Sequence, residues 1–348
     1  MLIFYLLLFG FALYKFKFAG KNYYAEECLS RDVTDSIKGI FIWLVFLSHF
    51  ASYVTYTNTV DLLGYKISQI LGQLIVACFF FYSGFGICEA YKKRGHSYIK
   101  AFPKNRILKT LLHFDIAVLL FLILKLILNQ KITLKNTLLS FIGWESLGNS
   151  NWYIFVILAL YLLTWISFSI IKNNISAALS VSILSVALIV FLYFTKSSYW
   201  YDTLLCYVLG MWISLFKDKI LKLVTKNNIV WFLSAGTLFI LFAVLYLIPY
   251  NSGLFFFNTF LLAPVFCLLI TAFLIKFRIS NKPLIFSGQY LFEIYILQRI
   301  PMIVFKNLGL ADFNLYLYFI SCLAVTILLA ITFRFLLNKL DNIIFKVR

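Results

Sequence analysis

Charge is scarce in this chain. Only 13% of its 348 residues are Asp, Glu, Lys or Arg, and acids are the rarer sign, 13 against 31 Lys and Arg. Cysteine is sparse as well: the six cysteines form no CxxC pair and mostly fall inside apolar runs, so they imply neither a disulfide framework nor a metal site. No internal repeat, low-complexity tract or soluble appendage interrupts the sequence, which leaves an apolar bundle and its short loops to carry function. What is abundant is hydrocarbon: 63% of residues are hydrophobic and the mean hydropathy is +0.93. Repeated apolar runs of about 18 or more residues read as transmembrane helices.

Eleven such segments are expected, near 2–18, 37–57, 68–91, 106–127, 152–171, 176–195, 200–216, 229–249, 254–275, 285–304 and 315–337. The fold class is therefore all-α, a polytopic transmembrane bundle of about 11 helices with no soluble domain. Alternate loops collect 24 of the 31 cations, and the other set holds five: Lys66, Lys131, Lys135, Lys196 and Lys306. By the positive-inside rule this places the N-terminus outside and the C-terminus in the cytoplasm. The net charge of +18 also fits nucleic-acid binding in principle. The membrane reading prevails, because the cations lie in short loops between apolar runs and not on a soluble basic face. Residues 1–18 read as a retained helix in preference to a signal peptide, since the run opens MLIFYLLLF and its lysines come after it.

The stretch DSIKGIFIWLVFLSH, residues 35–49, carries the most chemistry. Three helical turns take about 10.8 residues, so positions 11 apart share a face. Lys38 and His49 are so related, and Arg31 and Asp35 fall on the same stripe. Lys38 and His49 differ in height by roughly 16 Å. A cationic entrance with an imidazole about half a bilayer deeper is a functional candidate by default, although the commoner role of a lone membrane His is a helix–helix hydrogen bond.

Other segments add to it. FFFYSGFG, 79–86, offers Ser83 among glycines that ordinarily serve packing. Arg106, Lys109 and His113 share a face that enters the membrane, a setting suited to phosphate. Trp152 opens an apolar run at the outer face, where an interfacial aromatic is ordinary. Glu293 falls near mid-membrane, with Gln298 further outward. A carboxylate there needs a partner, a proton or a polar cavity. Arg299, six residues on, lies on another face of the helix.

Taken in order, DSIKGIFIWLVFLSH, FFFYSGFG, FPKNRILK, NWYIFVILALY and SGQYLFEIYILQ resemble the motifs of the acyltransferase-3 family of bacterial integral-membrane O-acyltransferases over about residues 30–300. Lys38 and Lys109 stand where that family commonly has Arg, and Gln298 where it commonly has His. The leading helix lies outside its usual ten.

The resemblance implies one acyltransferase domain across 1–348, with 1–30 an extra helix and linker and 31–340 the family-like core. It implies transfer of an acyl group, usually acetyl, from acetyl-CoA to a carbohydrate hydroxyl, with no metal and no nucleic acid. On this reading Lys38, Arg106, Lys109 and Arg31 face the donor's phosphates, His49 is the base, and Glu293 serves it or the acceptor. Asp35, Ser83, Trp152 and Gln298 face substrate. The acceptor, free or lipid-linked, and the membrane lipids are the other expected partners. A transporter or flippase for a glycan is the alternative, and strict dependence on acyl-CoA separates the two.

Overall fold

The structure is a computed structural model that describes residues 2–55, 59–248 and 255–345. Lys346 and Arg348 of the cation count, and the tips of the apolar segments at 1, 56–57, 249 and 254, lie outside the described residues. The chain runs α1 (Leu2–Leu13), β1 (Lys17–Phe18), α2 (Arg31–Ala51), α3 (Thr59–Leu71), α4 (Leu74–Arg94) and α5 (His96–Phe102). A π-helical turn (Pro103–Leu108) leads into α6 (Lys109–Ile127), then α7 (Leu134–Phe141), α8 (Trp152–Ile170) and α9 (Asn174–Thr195). Next come α10 (Leu205–Val224), α11 (Asn228–Leu247), α12 (Phe255–Lys276), β2 (Phe277–Arg278), α13 (Lys282–Gln289) and α14 (Leu291–Leu297). The last elements are α15 (Arg299–Asn307), α16 (Leu310–Phe313) and α17 (Leu315–Ile344). The protein is an all-α membrane bundle.

Every expected apolar segment is helical, and seven described helices are long and apolar enough to cross a membrane. Three of the others differ for visible reasons. Helix α1 has 12 residues, a rise of about 18 Å against a hydrocarbon core of about 30 Å. Helix α10 carries Lys217, Asp218, Lys219 and Lys222 in its second half. The 285–304 segment is three short helices, α13 to α15, broken at Tyr290 and Gln298. Asparagine starts many of the helices. The side chains of Asn173, Asn227, Asn281 and Asn314 accept backbone N–H groups of α9, α11, α13 and α17, which supplies partners for orphan donors where water thins out.

Contacts join loops of the cation-rich set to one another and loops of the cation-poor set to one another. On one face Lys17 pairs with Arg278 through β1 and β2, Lys104 donates to the Phe345 carbonyl, and Lys92 donates to the Ser214 carbonyl. The buried ammonium of Lys276 donates to Gly20, Asn22 and Asn228 and tethers the 14–30 linker to the same face. On the other, Lys196 binds Glu145 and the Trp144 carbonyl, and Lys306 lies over the Tyr53 ring. Apolar side chains such as Leu233, Phe239 and Ile240 of α11 point outward, as lipid-facing positions do.

Two glycine seams bring backbones together. A Cβ on Gly84 would lie 2.0 Å from the Tyr207 carbonyl oxygen, and one on Gly210 2.0 Å from that of Phe81, so α4 and α10 meet reciprocally. In the same way a Cβ on Gly39 would meet Leu284 at 2.0 Å and one on Gly288 would meet Asp35 at 1.8 Å, which locks α2 to α13. Close approach through small residues is the usual packing device in membranes. Gly288→Ala is expected to force α13 off α2, with an overpacking cost of about 1–3 kcal/mol. The melting temperature of the purified protein in detergent should fall, whereas Gly86→Ala, with open space around its Cα, should leave it unchanged.

Candidate functional site

The cation-rich end of the bundle opens into a cavity of about 990 Å³. Five cations border it: Arg31 and Lys38 of α2, Arg106 of the π turn, Lys217 of α10 and Arg334 of α17. Asp35 and Glu89 are the acids among its lining residues. Buried Asp35 holds Lys38 Nζ at 2.6 Å and lies 3.6 Å from Arg31 Nε. Glu89 is matched by Lys92 at 2.7 Å and accepts from Ser214 Oγ. The wall is therefore cationic on balance. Ser83 Oγ lies 2.9 Å from Tyr161 Oη, a hydroxyl pair on the same wall, and Gly86 keeps the neighbouring space open.

Of the four residues expected on the α2 stripe, Arg31, Asp35 and Lys38 share the cavity and His49 does not. The stripe on the next basic helix does not form. Between Pro103 and Leu108 the backbone takes a wider turn, in which the Lys109 N–H reaches back five residues to the Lys104 carbonyl. That turn shifts the register between Arg106 and the residues of α6. Arg106 faces the cavity, but Lys109 turns to Asp341 (2.5 Å), which His113 Nε2 also meets at 2.9 Å. Lys109 and His113 thus fasten α6 to the end of α17.

Arg334 and Lys217 were not among the residues the motifs singled out. Arg334 lies between Phe333 and Phe335 in a 30-residue apolar helix, and a lone Arg there was the available signal. Its partner is Glu293. Arg334 Nε donates to Oε1 at 2.8 Å and Nη2 to Oε2 at 2.7 Å, a bidentate pair. Arg334 also donates to the Gln289 carbonyl, and its guanidinium stacks 3.8 Å from the centre of the Tyr290 ring. Glu293 is thereby committed to a cavity cation and not to His49.

His49 does not line the cavity. The inner wall is Tyr153, whose ring lies 5.5 Å from that of Tyr295, and Tyr295 in turn lies 6.3 Å from the His49 imidazole. His49 Nδ1 is buried without a hydrogen-bond partner, as is Gln298 Oε1. Gln298 is fully buried and its amide donates to the Tyr295 carbonyl at 3.2 Å. Trp152 stands apart from the cavity and packs on Phe80, Tyr153 and Tyr199. Buried polar atoms are normally paired, so the unpaired His49 Nδ1 and Gln298 Oε1 beside Tyr295 mark a place suited to a polar guest. Among the described residues no group of His, Cys, Asp and Glu has the arrangement of a metal site.

The chain was compared with known proteins. A family model described as an acyltransferase domain, the acyltransferase-3 type, matches residues 34–335, and the chain belongs to that family. No curated protein and no solved structure matches it.

Proposed function

We propose that this member of the acyltransferase family moves an acyl group, acetyl in the first instance, from cytosolic acyl-CoA to a hydroxyl of a cell-surface carbohydrate or its lipid-linked precursor. The observation that carries the reading is the cationic cavity, with Tyr153 on its inner wall and Tyr295 between that ring and a half-buried imidazole. Acyl-CoA is a polyanion on an extended arm. Its phosphates suit the Arg31, Lys38, Arg106, Lys217 and Arg334 wall, where guanidinium groups add bidentate contacts. The arm then spans the roughly 16 Å between Lys38 and His49.

In that pose His49 takes the proton of the acceptor hydroxyl as its oxygen attacks the thioester carbonyl. The C–O bond forms, the C–S bond breaks, and the proton passes from His49 to the leaving sulfur, so that CoA leaves as the thiol and the imidazole is again neutral. A neutral imidazole with an unperturbed pKa of about 6.5 is suited to this step. The cation-rich face is taken as cytoplasmic, which gives an outward N-terminus and a cytoplasmic C-terminus in a bacterial inner membrane.

Donor recognition is tested by single changes of Lys38, Arg106 and Lys217 to Gln. Each is expected to raise the KM for acetyl-CoA more than it lowers kcat, because the phosphates are remote from the reacting carbonyl. Lys38→Arg should be tolerated. Lys109→Gln should leave that KM alone, since Lys109 is spent on Asp341. Unchanged acetyl-CoA affinity in all three cavity variants would place the donor elsewhere.

A further inference from the structure

A second cavity of about 380 Å³ lies at the opposite end of the bundle. Its walls come from Ser52 and Tyr53 after α2, Lys125 in the last turn of α6, Gln130 beyond it, and Lys306 and Asn307 of α15. Helix α6 measures the separation: Arg106 borders the first cavity and Lys125 the second, about 28 Å apart at 1.5 Å per residue. The volume is in the range of small-molecule sites. Cations are rare at this end, yet two of them face this one cavity, and no carboxylate is among its lining residues.

Beneath it lies Arg299. Its side chain hydrogen-bonds Tyr53 of the cavity wall, and its charge reaches His49 and Tyr295. Its Nε is buried without a hydrogen-bond partner, and no carboxylate pairs with it among the described residues. Ser52, on the cavity wall, donates to the His49 backbone carbonyl at 2.6 Å, so His49 is one helical turn along α2 from this cavity. Three cations without a carboxylate partner, descending from the outer face to His49, form a path for a negative charge. A half-buried guanidinium with no carboxylate partner is costly at this depth, and an anionic guest would offset that cost.

We infer that this second cavity is the acceptor site, that the acceptor approaches from the face opposite acyl-CoA, and that it is an acidic sugar unit whose negative charge is read by Lys125, Lys306 and Arg299. The inference rests on the acyl-transfer reading above and names its acceptor class. A hydroxyl carried by a sugar in this cavity reaches His49 from one side while the thioester arrives from the other. The selectivity arises because a neutral sugar leaves the three cations uncompensated.

The test is carried out in the source bacterium. Surface glycans of the parent and of a deletion strain are compared by NMR, and the deletion is complemented with wild type, Lys125→Gln, Lys306→Gln and the charge-preserving Lys125→Arg and Lys306→Arg. The expected result is loss of acyl groups from a carboxylate- or phosphate-bearing sugar on deletion. Each Gln variant should then restore roughly tenfold less acylation or worse, the scale of one lost hydrogen bond to a charged group. The Arg variants should restore it. Acetyl-CoA affinity of the purified Gln variants, measured by calorimetry, should equal wild type. Acyl groups lost from a neutral sugar, or full acylation by both Gln variants, would overturn the inference and leave the acyl-transfer reading standing. A deletion that alters no acylated glycan, with purified protein that binds no acetyl-CoA, would overturn both.

Discussion

His49→Ala is expected to reduce acyl transfer by roughly 10²–10⁴-fold, the contribution of a positioned general base, while acetyl-CoA binding and membrane abundance stay at wild-type levels. The separation of effects arises from where His49 sits. It lies behind Tyr153 and Tyr295 and not on the cationic wall, so its loss removes no phosphate contact. Its Nδ1 has no hydrogen-bond partner, so the fold surrenders little when the ring goes. A His serving as a helix–helix tie would behave oppositely, with lower abundance and unaltered turnover in the protein that survives. Calorimetric titration of acetyl-CoA alongside a transfer assay distinguishes the two. Wild-type turnover in His49→Ala would remove His49 from the mechanism.

Removal of Arg334 is expected to have the largest structural effect of any cavity substitution. Glu293 is 6% exposed and both its carboxylate oxygens are engaged by Arg334. Arg334→Ala strands that carboxylate, and breaking a buried pair costs about 3–5 kcal/mol. The lower figure is the better guide, because the Arg334 side chain is 27% exposed to the cavity. Detergent melting temperature and abundance should both fall. Replacing both partners with apolar residues, Glu293→Leu with Arg334→Met, should restore much of the stability, since no charge is then left unpaired. Acetyl-CoA should still bind weakly, because a cavity cation is gone. Glu293→Gln is expected to fold and to raise the KM for acetyl-CoA as Arg334→Gln does, with no further rise when the two are combined. That pattern identifies Glu293 as a positioning residue acting through Arg334. If Glu293→Gln lowers kcat alone, the carboxylate works at the reacting atoms instead.

Much of this arrangement was legible in the sequence. Hydropathy located the seven described helices that are long and apolar enough to cross a membrane, because burial in lipid demands long apolar runs whatever their neighbours are. The Arg31–Asp35–Lys38 stripe was legible because α2 is a regular helix through those positions and its period holds. The next stripe failed for the complementary reason. A single wide turn at Pro103–Leu108 breaks the period, and nothing in the spacing of Arg106 and Lys109 reveals it. Arg334 and Glu293 are 41 positions apart, so no local pattern links them. Gly84 and Gly288 were visible as small residues, but their partners Tyr207 and Asp35 emerge only from which helices meet. The interruption of 285–304 at Tyr290 and Gln298 was likewise hidden inside a continuous apolar run.

Transfer from acyl-CoA is tested most directly in inverted membrane vesicles, whose cytoplasmic face is accessible. Acetyl-CoA labelled in its acetyl group is added outside, and label is traced into carbohydrate. Incorporation is predicted that depends on the protein, is lost in His49→Ala and is matched by release of free CoA. Carbohydrate movement across the vesicle membrane with no incorporated label, or equal incorporation by wild type and His49→Ala, would contradict the account.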